Sequence, residues 1–338
     1  MKAPGAALQG GLAALGLVAA YTTWQREPER KAGEAVIVDA SQSDVQKIRF
    51  EDGNTTPPKW VELERRKESE GPRVWMRVSA RPEQKQPERE LRGNDSANKL
   101  WEKFAPLKAT RALGQLPLEK LKEVGLDAPK KRLEITTRGQ KQMFFIGASP
   151  FGVSDPYVRS ESDGKVFVLG GGIVGDLDAA AIRLVDRQLH DWKTSDYDEL
   201  KVTANGKSRE LTQTSAEQPT QAKLADKTGK VNEQAKNWHD RLWRSLVSDV
   251  LGKGETPAGG EPVLALRVDY KSHGKEKGFM ELGRVQAKAP EPAASTTPVA
   301  AAPTIEVYAR TEATAGWVKL GSNIDDLIKE ADKVVSAE

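Results

Sequence analysis

The sequence predicts an α+β fold: two internally repeated halves of antiparallel β-hairpins with packed helices, placed after one N-terminal transmembrane helix. Three observations predict it. An uncharged, largely apolar stretch runs from Ala3 to Gln25. A strand–turn–strand block beginning at Tyr157 recurs at Tyr308, and each block is followed by apolar residues at helical spacing.

The first element is the N-terminal stretch, residues 1–32. Its apolar centre, Leu12 to Tyr21, leads to Trp24 at the expected interface. From Gly5 to Trp24 there are about 20 residues, enough to cross a hydrocarbon core of about 30 Å as a helix. Gly10, Gly11 and Gly16 would make a poor soluble helix. Val18-Ala19-Ala20 also suits signal cleavage, so a membrane anchor is favoured and a cleaved signal stays open. Lys2 faces Arg26, Arg30 and Lys31 across the stretch, and a large polar domain after a short basic head predicts export of the bulk of the chain. The expectation is a single-pass protein of a bacterial inner membrane, its domains on the periplasmic side.

Residues 33–190 form the first predicted half and residues 191–338 the second. In the first, Leu133–Thr136 turns at Arg138-Gly139 into Gln142–Gly147, followed by Tyr157–Glu161, Gly164 and Val166–Gly170. In the second, Leu264–Val268 turns at His273-Gly274 into Phe279–Gly283, followed by Tyr308–Glu312, Gly316 and Trp317–Gly321. Closing helices are predicted from Leu177, Ala181, Leu184 and Val185, and from Ile324, Leu327, Ile328, Ala331 and Val335. Upstream lie a hairpin containing Ile48-Arg49-Phe50 or Leu200-Lys201-Val202, the latter turning at Asn205-Gly206, and a helix carrying Leu100-Trp101 or Leu242-Trp243. Three polar stretches are predicted as linkers: Arg81–Asn94, Thr212–Val231 and the Ala/Pro-rich loop 287–303.

Composition narrows function. Over 338 residues, 52 basic residues against 49 acidic give a net charge of +3, without the electrostatic footprint of a nucleic-acid binder. The absence of cysteine excludes disulfides, thiolate metal sites and cysteine nucleophiles.

Leu118-Glu119-Lys120-Leu121, Val124–Pro129, the strand Leu133–Thr136, Ile146-Gly147, Tyr157-Val158-Arg159 and Leu184–Leu189 together resemble the bacterial domain of unknown function 4340. The resemblance is densest over Leu118–Trp192. It implies an N-terminal membrane segment and association with the permease and ATPase subunits of ABC-type transporters of the gliding-motility kind. It supplies no catalytic residues to carry over.

Several groups could carry chemistry. Gly170-Gly171-Gly172-Ile173-Val174-Gly175 satisfies G-x-G-x-x-G between a strand and a helix. Its strand belongs to a hairpin, no acidic residue ends the next strand, the repeat has Gly321-Ser322-Asn323 there, and Asp176 would repel a pyrophosphate, so a plain turn is expected. His190, His239 and His273 lack metal-binding spacing and are expected to be exposed or capping. Glu51-Asp52, Asp176 with Asp178, and Asp325-Asp326 could pair as acid and base, but two of these pairs sit at helix starts, where carboxylates cap. Lys130-Lys131-Arg132 and Arg65-Arg66-Lys67 read as solvated faces, and Trp101, Trp238 and Trp243 as packing residues. No catalytic, cofactor or metal site is assigned.

The expected function is therefore a non-catalytic, membrane-tethered accessory or scaffold protein of an ABC-type transporter or similar envelope assembly. The alternatives are an extracytoplasmic polysaccharide- or lipid-binding subunit, and a nucleotide-binding enzyme using Gly170–Gly175. Oligomeric state is not specified by the sequence.

Overall fold

The computed structural model describes residues 34–68, 71–82, 86–214, 222–287 and 304–336. In chain order, strands β1 (Ala35–Val38), β2 (Val45–Asp52), β3 (Lys59–Glu68), β4 (Gly71–Val78) and β5 (Arg89–Arg92) precede helix α1 (Asp95–Glu102). Then come β6 (Leu107–Ala109), β7 (Arg111–Gln115), α2 (Leu118–Glu123), β8 (Lys131–Thr137), β9 (Gln140–Ile146), β10 (Tyr157–Ser160), β11 (Lys165–Val168), α3 (Ile173–Asp178) and α4 (Ala180–Arg183). The remainder is β12 (Glu199–Ala204), β13 (Lys207–Thr214), β14 (Lys223–Ala225), α5 (Glu233–Trp243), β15 (Val247–Val250), β16 (Val263–Ser272), β17 (Lys275–Gln286), β18 (Ile305–Thr311), β19 (Val318–Leu320) and α6 (Ile324–Ser336).

These elements build two compact units, one from the described residues up to Gln46 with Trp101–Gly175, the other from the described residues of Lys47–Leu100 and from Asp176 onward. In the first unit the strand order is β8-β9-β10-β11-β7, and β1 pairs with β6. Leu133, Ile135, Phe144, Ile146, Val158 and Val166 form its core at alternating positions, as a half-buried pleat requires. The second unit holds β5-β4-β3-β2 and a sheet of order β14-β13-β12-β16-β17-β18-β19-β15.

The five strands β16-β17-β18-β19-β15 repeat the order found in the first unit. They repeat its register too: Tyr157 faces Val168 and Val158 faces Phe167, while Tyr308 faces Lys319 and Ala309 faces Val318. Arg138-Gly139, Asn205-Gly206 and His273-Gly274 each take positive φ at both positions, with values from 48° to 78°. That is the two-residue hairpin turn whose twist matches the flanking strands.

Helices α5 and α6 pack on the second unit's large sheet. In α6, Ile324, Leu327, Ile328, Ala331 and Val334 fall on one buried stripe, with Asp325 and Asp326 in the first turn where carboxylates offset the dipole. In α5, Asn232 caps the start by accepting from the Ala235 N–H at 2.9 Å. The Trp238 Nε1–H donates to the Leu327 carbonyl at 2.8 Å, so a fully buried indole meets no unpaired polar cost.

The α+β expectation is corrected: the protein is mostly β, 45% strand against 19% helix. Two effects account for it. The closing helix of the first repeat breaks into α3 and α4, of six and four residues, and Leu184 and Val185 lie beyond both. Polar stretches also became strands where a neighbour supplied ladder partners, a tertiary effect that propensity does not register. The predicted linker Arg81–Asn94 contains β5, with Arg89, Leu91 and Arg92 buried, and Thr212–Val231 contains β14 with Leu224 wholly buried. Residues 288–303 lie outside the described residues.

The expectation of a single-pass inner-membrane protein is corrected as well. Among the described residues no helix is long and apolar enough to cross a membrane. The longest, α6, has 13 residues. That is a rise of about 20 Å against a core of about 30 Å. The Ala3–Gln25 stretch and the cleavage position after Ala20 lie outside the described residues.

Candidate functional site

Strand alternation sets up the second unit's polar surfaces. On β3, Val61 and Leu63 point into the core, so Trp60, Glu62, Glu64, Arg66 and Glu68 share the opposite face. Register then brings charge to charge: Arg49 opposite Glu62, Lys47 opposite Glu64, Glu62 opposite Arg77. Glu62 is 6% exposed, accepts from Lys47 at 3.0 Å and Arg49 at 3.4 Å, and lies 3.8 Å from Arg77. The Arg49 guanidinium lies 4.4 Å over the Trp60 ring, and Arg66 lies 5.1 Å over Trp75. The hydrogen bond to Glu62, working against partial burial, holds the Lys47 ammonium above its ordinary pKa.

The large sheet carries a similar ladder. Glu281, 6% exposed, is bound by Arg267 and by Arg310 Nη2 at 2.7 Å, and these arginines lie over Phe279 and Trp317 at 4.9 and 4.8 Å.

Beside the first ladder lies a polar cleft. Arg92, only 7% exposed, donates to Asp191 at 2.5 Å, to Glu68 at 3.1 Å and to the Ala313 carbonyl at 2.8 Å. Arg73 binds Asp186 at 3.1 Å and Asp191 at 3.3 Å. Burial pushes the Asp186 carboxyl above its ordinary pKa even though Arg92 and Arg73 pull it down.

Across the cleft, Glu312 Oε1 contacts His190 Nδ1 at 2.8 Å and accepts from Trp192 Nε1 at 2.7 Å, while Oε2 accepts from the Phe279 N–H at 2.9 Å. Burial raises the Glu312 pKa, but His190 and the backbone donor outweigh it and the carboxyl ends below its ordinary value. Gly278 leaves it room, because a Cβ there would stand 2.4 Å from Oε2 and the carboxylate would have to shift.

His190 stacks on Trp243 at 4.5 Å and 7°, and Trp192 tilts against both. Behind them His239 bridges two phenols, with Nε2 3.1 Å from Tyr270 Oη and Nδ1 3.4 Å from Tyr197 Oη. Desolvation pushes the His239 pKa down to about 4, and burial pushes both phenols up. The cleft volume is about 660 Å³.

The family model "Domain of unknown function (DUF4340)" matches residues 86–258. The chain belongs to the DUF4340 family. No curated protein and no solved structure matches it. The matched span includes Arg92, His190, Asp191, Trp192 and His239, and leaves the DUF4340 chain's Trp75 and Glu312 outside it.

Of the predicted candidates, His190, His239 and Trp243 stand at or behind this cleft, and the others fall elsewhere. Gly170–Gly175 follows β11, which is antiparallel to both neighbours, so the parallel βαβ context of a dinucleotide site is missing. The run is a turn: Gly171 and Gly172 have φ of 75° and 67°, Lys103 donates to the Gly171 carbonyl at 2.6 Å, and a Cβ on Gly170 would meet Thr110 Cγ2 at 2.3 Å. The histidine expectation is corrected, since His190 and His239 are 8% and 1% exposed and only His273, in its turn, is open. Their burial follows from aromatic neighbours contributed by three separate segments: Trp192 and Tyr197 before β12, Trp243 on α5 and Tyr270 on β16.

Each acidic pair is held structurally: Asp52 caps the turn at Asn54, Asp176 pairs with Arg183, Asp178 with Lys59, and Asp325 with Arg284. Alternation splits Arg65-Arg66-Lys67, with Arg66 joining the ladder, and Lys130-Lys131-Arg132 leads into β8. Trp101 is buried in the first unit, Trp238 is buried in the second, and Trp243 joins the His190 stack. Among the described residues no group of three or more His, Asp or Glu side chains is placed to hold a metal ion.

Arg92 and Glu312 were missed as site residues. The alternation Arg89-Glu90-Leu91-Arg92 was the available signal for the first. Glu312 already stood inside the repeated block, without a visible partner.

Proposed function

We propose that this DUF4340 chain is a non-catalytic accessory or scaffold protein, docking through its charged sheet faces onto the permease and ATPase subunits of an ABC-type transporter of the gliding-motility kind. The observation that carries the docking part is the pair of ladders around Glu62 and Glu281. In each, a nearly solvent-free carboxylate is locked between basic side chains, and arginines lie over aromatic rings. A face so ordered loses little side-chain entropy when a partner covers it. Its alternating charges select a complementary polar surface and reject others. The non-catalytic part draws support from the same bonds, since these carboxylates are taken up by basic side chains within the sheet. The choice of transporter rests on the family resemblance.

Affinity purification of the tagged full chain in mild detergent tests the proposal. Permease and ATPase subunits of one ABC transporter, identified by mass spectrometry, are the expected co-eluting species. Recovery of the chain alone overturns the transporter assignment.

A further inference from the structure

We infer that the cleft between Trp75 and Trp192 is a binding site for a neutral saccharide of one or two rings. Four observations on the second unit converge on that ligand class, and they rest on the cleft's own side chains and not on the Glu62 and Glu281 ladders that carry the proposal above.

The size is right for a small molecule. About 660 Å³ lies within the range of roughly 300–1,000 Å³ usual for ligand sites.

The walls are aromatic and fixed. Trp75 Nε1 donates to Glu68 at 2.6 Å and Trp192 Nε1 donates to Glu312 at 2.7 Å, so each indole is held by a carboxylate that itself lines the cleft. Two immobilised indoles supply flat apolar surface for the C–H faces of a pyranose, at little cost in side-chain entropy.

The polar groups are preorganised and their charges nearly cancel. Glu68, Asp191 and Glu312 line the cleft with Arg92 and Lys277, and Arg73 is bound to Asp191 behind them. A cationic ligand would find Glu68 and Asp191 already bound by Arg92, and Glu312 already engaged by His190, Trp192 and the Phe279 N–H, while an anionic one would find the Arg92 guanidinium already satisfied by carboxylates. A polyhydroxylated neutral ligand needs acceptors and donors side by side without net charge, and fixed carboxylates next to a guanidinium provide both.

The fourth observation concerns what the protein keeps open. Gly278 leaves room for the Glu312 carboxylate, and Ala313 and Ala315, the smallest chiral side chains, line the cleft beside it. The Arg92 bond to the Ala313 carbonyl fixes this segment to the cleft's other wall.

The test is titration of the full chain with cellobiose, maltose and N,N′-diacetylchitobiose, followed by tryptophan fluorescence and isothermal calorimetry, with choline and citrate as charged controls. At least one disaccharide is expected to bind with a millimolar or tighter Kd. Trp192→Ala is expected to weaken it by about tenfold, the loss of one aromatic platform. Because Trp192 also packs on Trp243, Ala315→Trp serves as a second variant that fills the cleft from a partly exposed position, and it is expected to abolish binding. Three results overturn the inference: no disaccharide binds, binding survives Ala315→Trp, or a charged control binds in place of the sugars.

Discussion

His239 gives the sharpest pH prediction. Its imidazole is fully buried between Tyr197 and Tyr270, and its pKa is pushed from the ordinary 6.5 down to about 4. Between those values the unfolded chain takes up a proton that the folded chain refuses. Acidification therefore draws the equilibrium toward unfolding, and stability is lost as pH falls from 6.5 toward 4. The full difference amounts to about 3 kcal/mol, of which about 2 kcal/mol is lost between neutrality and a pH near 5. Carboxylates such as Glu90 and Asp325, whose folded pKa is lowered, add a slope of the same sign at lower pH. A variant separates them. His239→Gln keeps an amide that can donate and accept between the phenols but cannot titrate. It is expected to cost about 1–2 kcal/mol at neutrality and to lose about 2 kcal/mol less than the parent on going to a pH near 5. Native-state hydrogen exchange of the α5 amides, corrected for intrinsic rates, reads this locally. Equal pH slopes in parent and variant would refute the reasoning.

Two further outcomes follow from the same region. Arg92→Met leaves Glu68, Asp186 and Asp191 with Arg73 as their remaining arginine, and is expected to cost about 3–5 kcal/mol in urea unfolding, because it strands part-buried carboxylates; a loss below about 1 kcal/mol would contradict the network. Gly278→Ala places a Cβ against Glu312 and is expected to cost about 1–3 kcal/mol by thermal unfolding. An unchanged midpoint would show that the carboxylate can move aside.

What the sequence disclosed was mostly local. The turns at Arg138-Gly139, Asn205-Gly206 and His273-Gly274 were legible because the backbone needs positive φ at two successive positions there, and few dipeptides tolerate it. The Tyr157 and Tyr308 blocks read as strand, turn, strand from their apolar alternation, and they form β10–β11 and β18–β19. What escaped depended on distant partners. β5 is too short and charged to signal itself, and exists because β4 offers it a ladder with Trp75 opposite Arg92. β7 and β15 likewise close the edges of their meanders from upstream, a pairing that no local pattern encodes. The short α3 and α4 show a helical periodicity overruled after one or two turns. The cleft was invisible for the same reason: Trp75, Arg92, Trp192 and Glu312 are far apart in sequence, and only the fold brings them together.

The docking account stands or falls on the Glu62 ladder. The decisive measurement is quantitative co-purification of ABC permease and ATPase subunits with the full chain and with the double variant Arg49→Glu, Arg77→Glu, after circular dichroism has shown that the variant is folded. The account predicts at least a tenfold drop in recovered subunits for the variant, and a progressive loss for the parent as salt rises, since exposed charges are screened within about 10 Å at 0.1 M ionic strength. Undiminished recovery with the reversed charges would contradict it.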